Sequence, residues 1–207
     1  MKAALTFILL IGLGTLSCKP KDSALKPKDD TELLYQRFHG KYKIISSISN
    51  EAVDVNLDGT KSSNLLEEIA DLNFQDRKQF AVELRIYGPS KEHLQSGLLF
   101  TQAWPEQYFQ TSQGSWNGGE LLSYDPAYSV SYAMQGTVRT FTFSDDLRQI
   151  IVNPNENDPS LRWVRPESVH VQADGRLQVV NKRRLYTREG VKEVTITTLY
   201  ERFTMTT

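Results

Sequence analysis

The sequence predicts an all-β domain, an antiparallel up-and-down barrel of about 8–10 strands with one or two short helices near its N-terminus. Strand-like runs separated by turn residues follow one another from about residue 78 to the end of the chain. Asp174-Gly175 and Glu189-Gly190 stand between such runs and predict hairpins. In the last run, residues 194, 196, 198 and 200 fall on one face. Consecutive hairpins favour a barrel, because closing a sheet removes its exposed edges.

Composition excludes several classes of function. The chain of 207 residues carries 24 Lys and Arg against 25 Asp and Glu, and this net charge of -1 argues against general binding to nucleic acid or to anionic membranes. One cysteine excludes an intramolecular disulfide framework and any metal site built from several cysteines. Aromatic residues make up 10% of the chain, which is too many for a disordered protein.

Residues 1–17 are organised like a bacterial lipoprotein signal peptide. A lysine precedes a mostly apolar stretch over 3–16, and small Ser17 precedes Cys18. The apolar stretch is shorter than the ~20 residues that a spanning helix needs. Thr15-Leu16-Ser17-Cys18 resembles the lipobox, which implies cleavage before Cys18, lipidation of its thiol and acylation of its new amino group, with palmitate as an expected chain. The alternative is an ordinary secretory signal with an accidental cysteine.

Residues 18–30 are expected to form a flexible polar tether. Lys19-Pro20-Lys21-Asp22 recurs as Lys26-Pro27-Lys28-Asp29, and such a charged, proline-bearing segment cannot bury a core. Lysine follows Cys18 where inner-membrane lipoproteins carry aspartate, so the resemblance favours an outer-membrane anchor, on either its periplasmic or its surface face. The expected partner of this end of the chain is therefore the lipid bilayer, and residues 31–207 are the predicted barrel domain.

Two short helices are expected before most of the strands. Asp30-Thr31 can cap the first helix, and Gly40 ends it. Asn64, with Glu67 three residues later, predicts a capped second helix over 64–71. The first strand begins at about Tyr42. The later strand-like runs are 78–87, 96–104, 106–112, 127–134, 137–143, 147–152, 161–172, 176–187 and 191–204.

The region around the first strand resembles a lipocalin-like domain. That family opens its first strand with Gly-x-Trp, and Gly40 and Tyr42 occupy those places here. In the family an arginine late in the barrel packs over that aromatic, and the candidate is Arg202. The pattern extends over about residues 33 to 204 and is most similar to lipocalin-like lipoproteins of Gram-negative bacteria. The resemblance implies a barrel that holds a small hydrophobic ligand.

The sharpest local motif runs from Asp54 to Gly59. Oxygen-bearing side chains at positions one, three and five, followed by glycine, form the first half of a calcium loop of the EF-hand type. Position twelve is Leu65 instead of the bidentate glutamate. The alternative is an acidic loop whose Asp-Gly turn ends a strand without a metal. The predicted Ca²⁺ ligands are Asp54, Asn56, Asp58, Thr60 through its carbonyl, and Glu67 if the next helix turns it back.

Aromatic residues cluster between 104 and 132, and the mouths of barrels commonly hold aromatic-lined pockets. Trp116 precedes Asn117-Gly118, so we expect it to be exposed at a hairpin tip. The alternative is that these aromatic residues belong to the core. The predicted ligand-binding residues are Trp104, Tyr108, Trp116 and Tyr132.

An enzyme is not expected, and no catalytic residue is assigned. The three histidines, His39, His93 and His170, have no partner at metal-binding spacing, and the sequence contains no Gly-x-Ser-x-Gly motif or phosphate-binding loop. A hydrolase whose residues are assembled in space is the alternative. Arg183-Arg184, together with Lys182 and Arg188, predicts a solvated basic strand face.

Two functional hypotheses follow. The first is a membrane-anchored envelope lipoprotein whose barrel binds a small apolar or amphipathic ligand in an aromatic-lined cavity. The second is a non-catalytic structural or protein-interaction module with a calcium-stabilised loop. This second hypothesis predicts a filled interior and an exposed apolar patch near Trp116.

Overall fold

The structure is a computed structural model, and it describes residues 27–73, 81–88, 97–154 and 165–207. Several sequence predictions lie outside these residues. They are the signal peptide over 1–17, Cys18 with the tether as far as residue 26, and His93.

Two short α-helices and ten strands make up the described chain, and one 3₁₀ turn covers Ala70–Leu72. The helices are α1 (Pro27–Phe38) and α2 (Leu65–Glu68). The strands are β1 (Gly40–Val53), β2 (Ser62–Asn64), β3 (Val82–Tyr87), β4 (Gly97–Thr111), β5 (Gly114–Trp116), β6 (Ser131–Phe143), β7 (Ile150–Val152), β8 (Pro166–Val171), β9 (Leu177–Thr187) and β10 (Gly190–Thr204).

The ten strands form one antiparallel sheet that is curled into a nearly closed barrel, as the sequence predicts. The order along the sheet is β7-β6-β4-β3-β1-β10-β9-β8, while β2 pairs with β1 and β5 pairs with β4. β1 pairs with β3 on one side and with β10 on the other, so the first and last long strands are neighbours. β7 and β8 are the two ends of this order, and they meet at the bridge between Gln149 and His170.

β4 is a single strand that runs through Pro105, where the sequence predicts a break between two strands. The pairing of β3 with β4 ends at Val82 and Gln102, and the Ala103 amide then donates to the Ala81 carbonyl. In an antiparallel strand the backbone groups of residues 103 and 105 point to the same side, so the nitrogen of Pro105 is directed beyond the end of β3. Among the described residues, no β3 carbonyl lies opposite Pro105, so its missing N–H interrupts no described pairing. β6 is likewise continuous where two runs are predicted.

At the junction of α1 with β1, Tyr42 and Arg202 are register partners across β1 and β10. Tyr42 is buried, and its hydroxyl donates to the Phe38 carbonyl at 2.7 Å. The Arg202 guanidinium donates to the carbonyls of Gln36 and His39 at 2.9 and 3.2 Å. These bonds satisfy carbonyls at the helix C-terminus that have no partner within the helix.

Gly40 is required at this junction. Its φ is +134°, and a Cβ at this position would lie 2.2 Å from the Thr204 carbonyl oxygen. Helix α1 itself begins at Pro27, four residues before the predicted domain boundary at 31 (31 − 27 = 4). Proline suits the first helical turn, because the first N–H groups of a helix have no intrahelical partner.

The core consists of three clusters. The α1-side cluster includes Phe38, Tyr42, Phe100 and Tyr200, and the α2-side cluster includes Leu65, Ile69, Trp104 and Val194. An aromatic cluster joins Phe109, Trp116 and Tyr186 and is covered by residues from the segment 122–130. In the last strand, the face that carries residues 194, 196, 198 and 200 is the one that meets the core, since all four residues are buried.

Candidate functional site

A cleft lies at the seam between the end strands β7 and β8. Beyond the bridge at Gln149 and His170, the Val171 amide donates to the Arg148 carbonyl at 2.8 Å. These are the pairings between the two strands within the described residues. Farther along β8 lies a cavity of about 220 Å³, lined by Gln149–Val152 and Arg165–His170.

The floor of the cleft is apolar and its rim is polar. Ile150, Val152 and Val169 line it, and all three belong to the α1-side cluster of the core. Arg165 and Glu167 are exposed lining residues. The volume is below the ~300–1,000 Å³ usual for ligand pockets, so the cleft suits a small molecule or one apolar group of a larger molecule.

The sequence does not single out these residues as a binding site. The run 161–172 predicts a strand but contains no local indication of a cleft. The cleft exists because β7 and β8 are the two ends of the sheet order, and their described residues are paired only near one end. Strand closure is a property of the whole sheet.

The four predicted ligand-binding aromatic residues do not line one cavity. Trp104 is fully buried in the α2-side cluster, and Tyr132 packs against that cluster. Tyr108 is 41% exposed. Trp116 is buried in the aromatic cluster, so the expectation of an exposed tryptophan at a hairpin tip is wrong. Its indole Nε1 donates to the Glu120 carbonyl at 2.8 Å, because the chain folds back over it.

Side chains of β4 and β9 meet across the barrel, although the two strands are not neighbours in the sheet. The amides of Gln102 and Asn181 exchange hydrogen bonds at 2.9 and 3.2 Å. The Glu106 carboxylate pairs with the Arg183 guanidinium. We call the side chains of Gln102, Glu106, Asn181 and Arg183 the cross-barrel belt. Arg183 is 1% exposed, which corrects the prediction of a solvated basic face at this residue.

The loop 54–60 is closed by its own polar groups. The Asp54 carboxylate is buried, and its Oδ2 accepts from the Gly59 amide at 2.9 Å. Asn56 Oδ1 accepts from the Asp58 amide at 2.9 Å. Asp58 Oδ1 accepts from the Thr60 amide at 2.7 Å. Three of the predicted Ca²⁺ ligands therefore lie in one loop and bind its backbone amides.

Glu67 does not reach this loop, and Glu68 does. The Glu67 carboxylate accepts from the Ser62 hydroxyl at 2.7 Å and from the Asn64 side-chain amide at 3.0 Å. Glu68 Oε2 accepts from the amides of Val55 and Asn56 at 2.8 and 3.3 Å. The capping residue of α2 explains why Glu68, and not Glu67, reaches the loop. Asn64 bonds the Glu67 carboxylate and holds it on the outer side of the helix.

A guanidinium lies against the same loop. Arg188 Nε donates to the Leu57 carbonyl at 2.9 Å and lies 3.5 Å from Asp54 Oδ2. Within the described residues, no three His, Cys, Asp or Glu side chains converge as a metal-binding group. A Ca²⁺ shell here would need Asn56 and backbone carbonyls, and the calcium assignment stays a prediction.

The pKa of the Glu68 carboxyl is raised, first because burial disfavours its charged form. The Val55 and Asn56 amides oppose this shift by stabilising the carboxylate. The negative charges of Asp54 and Asp58 raise the pKa further. Three carboxylates therefore meet the loop, and their repulsion favours a proton or a cation.

The histidines are not assembled into a catalytic set within the described residues. His39 is buried, and its Nδ1 accepts from the Ile86 amide at 3.0 Å. Burial lowers the pKa of His39, so the ring acts as a neutral acceptor between α1 and β3. His170 lies at the closed end of the cleft.

Replacing Glu68 by glutamine should change how stability depends on pH. A carboxyl whose folded pKa is raised contributes stability below its ordinary pKa of 4.5, and this contribution is lost as pH rises through the folded value. The glutamine side chain keeps an acceptor for the two amides without the charge. We therefore expect Glu68→Gln to gain stability relative to the unmodified chain as pH rises from about 4 to 7. Urea unfolding at each pH, in chelator, measures this difference.

Glu67→Gln is the matched control. Hydrogen bonds from Ser62 and Asn64 lower the pKa of Glu67, so its contribution is present above the ordinary pKa and is lost as pH falls. As pH rises, the stability of the two variants relative to the unmodified chain should therefore change in opposite directions. Equal pH profiles for both would contradict the burial argument for Glu68.

The chain was also compared with known proteins. A scan against protein-family models, a search of curated proteins and a search of solved structures each found no match. Among the described residues, none of the helices combines the length and the apolarity needed to cross a membrane.

Proposed function

We propose that this protein is a membrane-anchored envelope lipoprotein whose lipocalin-like barrel binds a small apolar or amphipathic ligand. The observation that carries the ligand-binding part is the cleft of about 220 Å³ at the β7–β8 seam. Its floor opens onto core side chains while its rim is polar. An amphipathic molecule would bury its apolar part against Ile150, Val152 and Val169 and keep its polar part at the rim.

The seam is favoured over the barrel centre because large side chains already fill the centre. Trp104, Arg183, Tyr42 and Tyr200 are among the largest fully buried residues. Close packing of this kind leaves little room for a bulky apolar ligand at the centre without moving core residues. The seam offers apolar surface without that cost, since the described residues of β7 and β8 are paired only near one end.

The anchoring part rests on the lipobox-like sequence and on the start of the fold. Cys18 is followed by nine residue steps to Pro27, where helix α1 begins (27 − 18 = 9). An extended chain covers at most ~3.6 Å per residue, so an acylated Cys18 would keep the barrel within about 32 Å of the bilayer. Several acyl chains provide a stable anchor, at ~0.8 kcal/mol for each buried CH₂ group.

Replacing Cys18 by serine should release the protein from the membrane. The serine cannot form the thioether on which acylation and anchoring depend. We expect the unmodified chain to fractionate with membranes and to incorporate labelled palmitate, and Cys18→Ser to do neither. Ser17→Gly, which keeps a small residue before the cysteine, is the control and should behave as the unmodified chain. A soluble, unlabelled native chain would refute the anchor.

Filling the cleft should abolish binding of an apolar probe. Ser168 lines the cleft in the part of β8 where its register is irregular. We expect the fluorescence of N-phenyl-1-naphthylamine to rise saturably with the full chain, and Ser168→Phe to weaken this binding at least about tenfold, or ~1.4 kcal/mol. Ser131→Phe, on an exposed residue at the start of β6, is the matched control. Equal binding by both variants would place the probe outside the cleft.

A second candidate function is a structural or protein-interaction module with a calcium-stabilised loop. The observation that favours it is Asp54 Oδ1, which is buried and has no hydrogen-bond partner among the described residues. A buried carboxylate oxygen without a donor is costly, and a cation would remove that cost. Glu68 would then take the place that the sequence assigns to Glu67, because its carboxylate already lies at the loop.

Calcium should then raise the melting temperature. We expect Tm to rise by several degrees between chelator and excess Ca²⁺, because binding to the folded state alone adds stability by mass action. Asp58→Ala should remove this increase, whereas Asp146→Ala, in another exposed turn, should retain it. An unchanged Tm in the unmodified chain would exclude a stabilising calcium site.

A further inference from the structure

The Arg183 side chain is held in one orientation inside the barrel. It is 1% exposed, and its Cζ lies 4.2 Å from the centroid of the Trp104 ring. Its Nη1 donates to the Glu106 carboxylate on the facing strand. Stacking on the indole fixes the plane of the guanidinium, and the ion pair with Glu106 fixes its rotation within that plane.

One edge of this guanidinium has no acceptor. Nε and Nη2 of Arg183 are buried and make no hydrogen bond within the described residues. These two N–H groups point in parallel from the same side of the planar group, and this is the edge that pairs with a carboxylate through two parallel bonds. A buried donor left without a partner destabilises the folded state, and a charged donor does so more strongly. Buried donors are normally hydrogen-bonded, so we expect an oxygen acceptor at this edge.

A further buried donor belongs to the indole against which the Arg183 guanidinium packs. The Trp104 indole Nε1 is buried and also has no acceptor among the described residues. Val194 pairs with Arg183 across β9 and β10, and Leu185 packs in the same cluster as Trp104, while the nearby polar amides of Gln102 and Asn181 bond each other. Orphan donors without orphan acceptors favour an anion over a cation or a neutral hydroxyl compound.

The site lies close to the rim of the barrel. Trp104, Glu106 and Tyr108 alternate along one face of β4, and their exposure rises from 0% for Trp104 to 41% for Tyr108. The Glu106 side chain is 25% exposed. Tyr108, at the exposed end, lies ~13 Å from Trp104 along β4, at ~3.3 Å per residue, and Glu106 lies between them.

We propose that Arg183 and Trp104 form a binding site for the carboxylate of a small organic acid. The carboxylate accepts two parallel hydrogen bonds from Nε and Nη2 of Arg183, and the Trp104 indole supplies a third donor. A planar carboxylate fits the planar edge better than a tetrahedral phosphate does. The site shares no residue with the β7–β8 cleft, so it goes beyond the function proposed above and does not depend on it.

The test is an NMR titration of the ¹⁵N-labelled full chain with sodium hexanoate. We expect saturable shifts of the Trp104 indole and Arg183 Nε–H signals, which Trp104→Phe and Arg183→Lys assign. Hexan-1-ol, which has the same carbon chain without the charge, should leave both signals in place. Arg183→Lys keeps the charge but loses the two-donor edge, so we expect at least about tenfold weaker hexanoate binding. Arg184→Lys, at the next residue and on the opposite face of β9, is the matched control.

Three outcomes would overturn the proposal. Equal shifts with hexan-1-ol would show apolar binding that does not use the edge. Inorganic phosphate binding more tightly than hexanoate would exclude a carboxylate site. Water contacts at Arg183 with no saturable shift by hexanoate would assign the edge to an ordered water only. The hexanoate and hexan-1-ol comparison uses the unmodified chain and can be read at the Trp104 indole signal, which Trp104→Phe assigns, so it decides the question even if Arg183→Lys fails to fold. N-phenyl-1-naphthylamine binding, measured in parallel, reports on the cleft alone.

Discussion

The side-chain bonds that cross the barrel between β4 and β9 determine what else the protein can hold. Gln102 and Asn181 exchange two hydrogen bonds, and Glu106 pairs with Arg183, so two strands that are not neighbours are joined through the interior. Buried polar groups of this kind stabilise only when their partners are correctly placed. The belt therefore restricts the distance between the two walls. A central cavity of the usual lipocalin-like kind would require these contacts to open.

Two features follow from a filled interior. Apolar surface that a ligand could reach is left at the seam, where β7 and β8 end the sheet and expose the α1-side cluster. The belt also holds the Arg183 guanidinium with part of its hydrogen-bonding capacity unused. Its Nη1 donates to Glu106, whereas Nε and Nη2 have no partner among the described residues. The first feature suits an apolar group and the second suits a charged one. Their positions at different core clusters make them independent.

In the loop 54–60, a guanidinium of the chain itself lies against the acidic side chains. Arg188 comes from the turn between β9 and β10, and it binds the Leu57 carbonyl and lies near the Asp54 carboxylate. Its positive charge offsets part of the repulsion among the carboxylates of Asp54, Asp58 and Glu68. The loop is thereby tied to the hairpin that follows β9. A bound Ca²⁺ would act on the same group of oxygens, so it would couple to that hairpin as well.

The sequence by itself determined the features whose cause is local. The Asp174-Gly175 hairpin, the buried face of β10 and the cap at Asn64 follow from turn chemistry, strand alternation and capping, which involve residues a few positions apart. The resemblance around Gly40 and Tyr42 also pointed to Arg202, which is the register partner of Tyr42, and the packing of its guanidinium over the ring stays a prediction.

Only the tertiary structure decided which polar and aromatic residues are buried. Arg183 resembles a solvated basic residue in the sequence, but its partner Glu106 is 77 residues away. Trp116 resembles an exposed tip, but Phe109 and Tyr186 enclose it. Glu67 and Glu68 are adjacent, and the orientation of α2 against the loop decides which one reaches it. In each case burial depends on which distant segment lies opposite, and local spacing carries no information about that pairing.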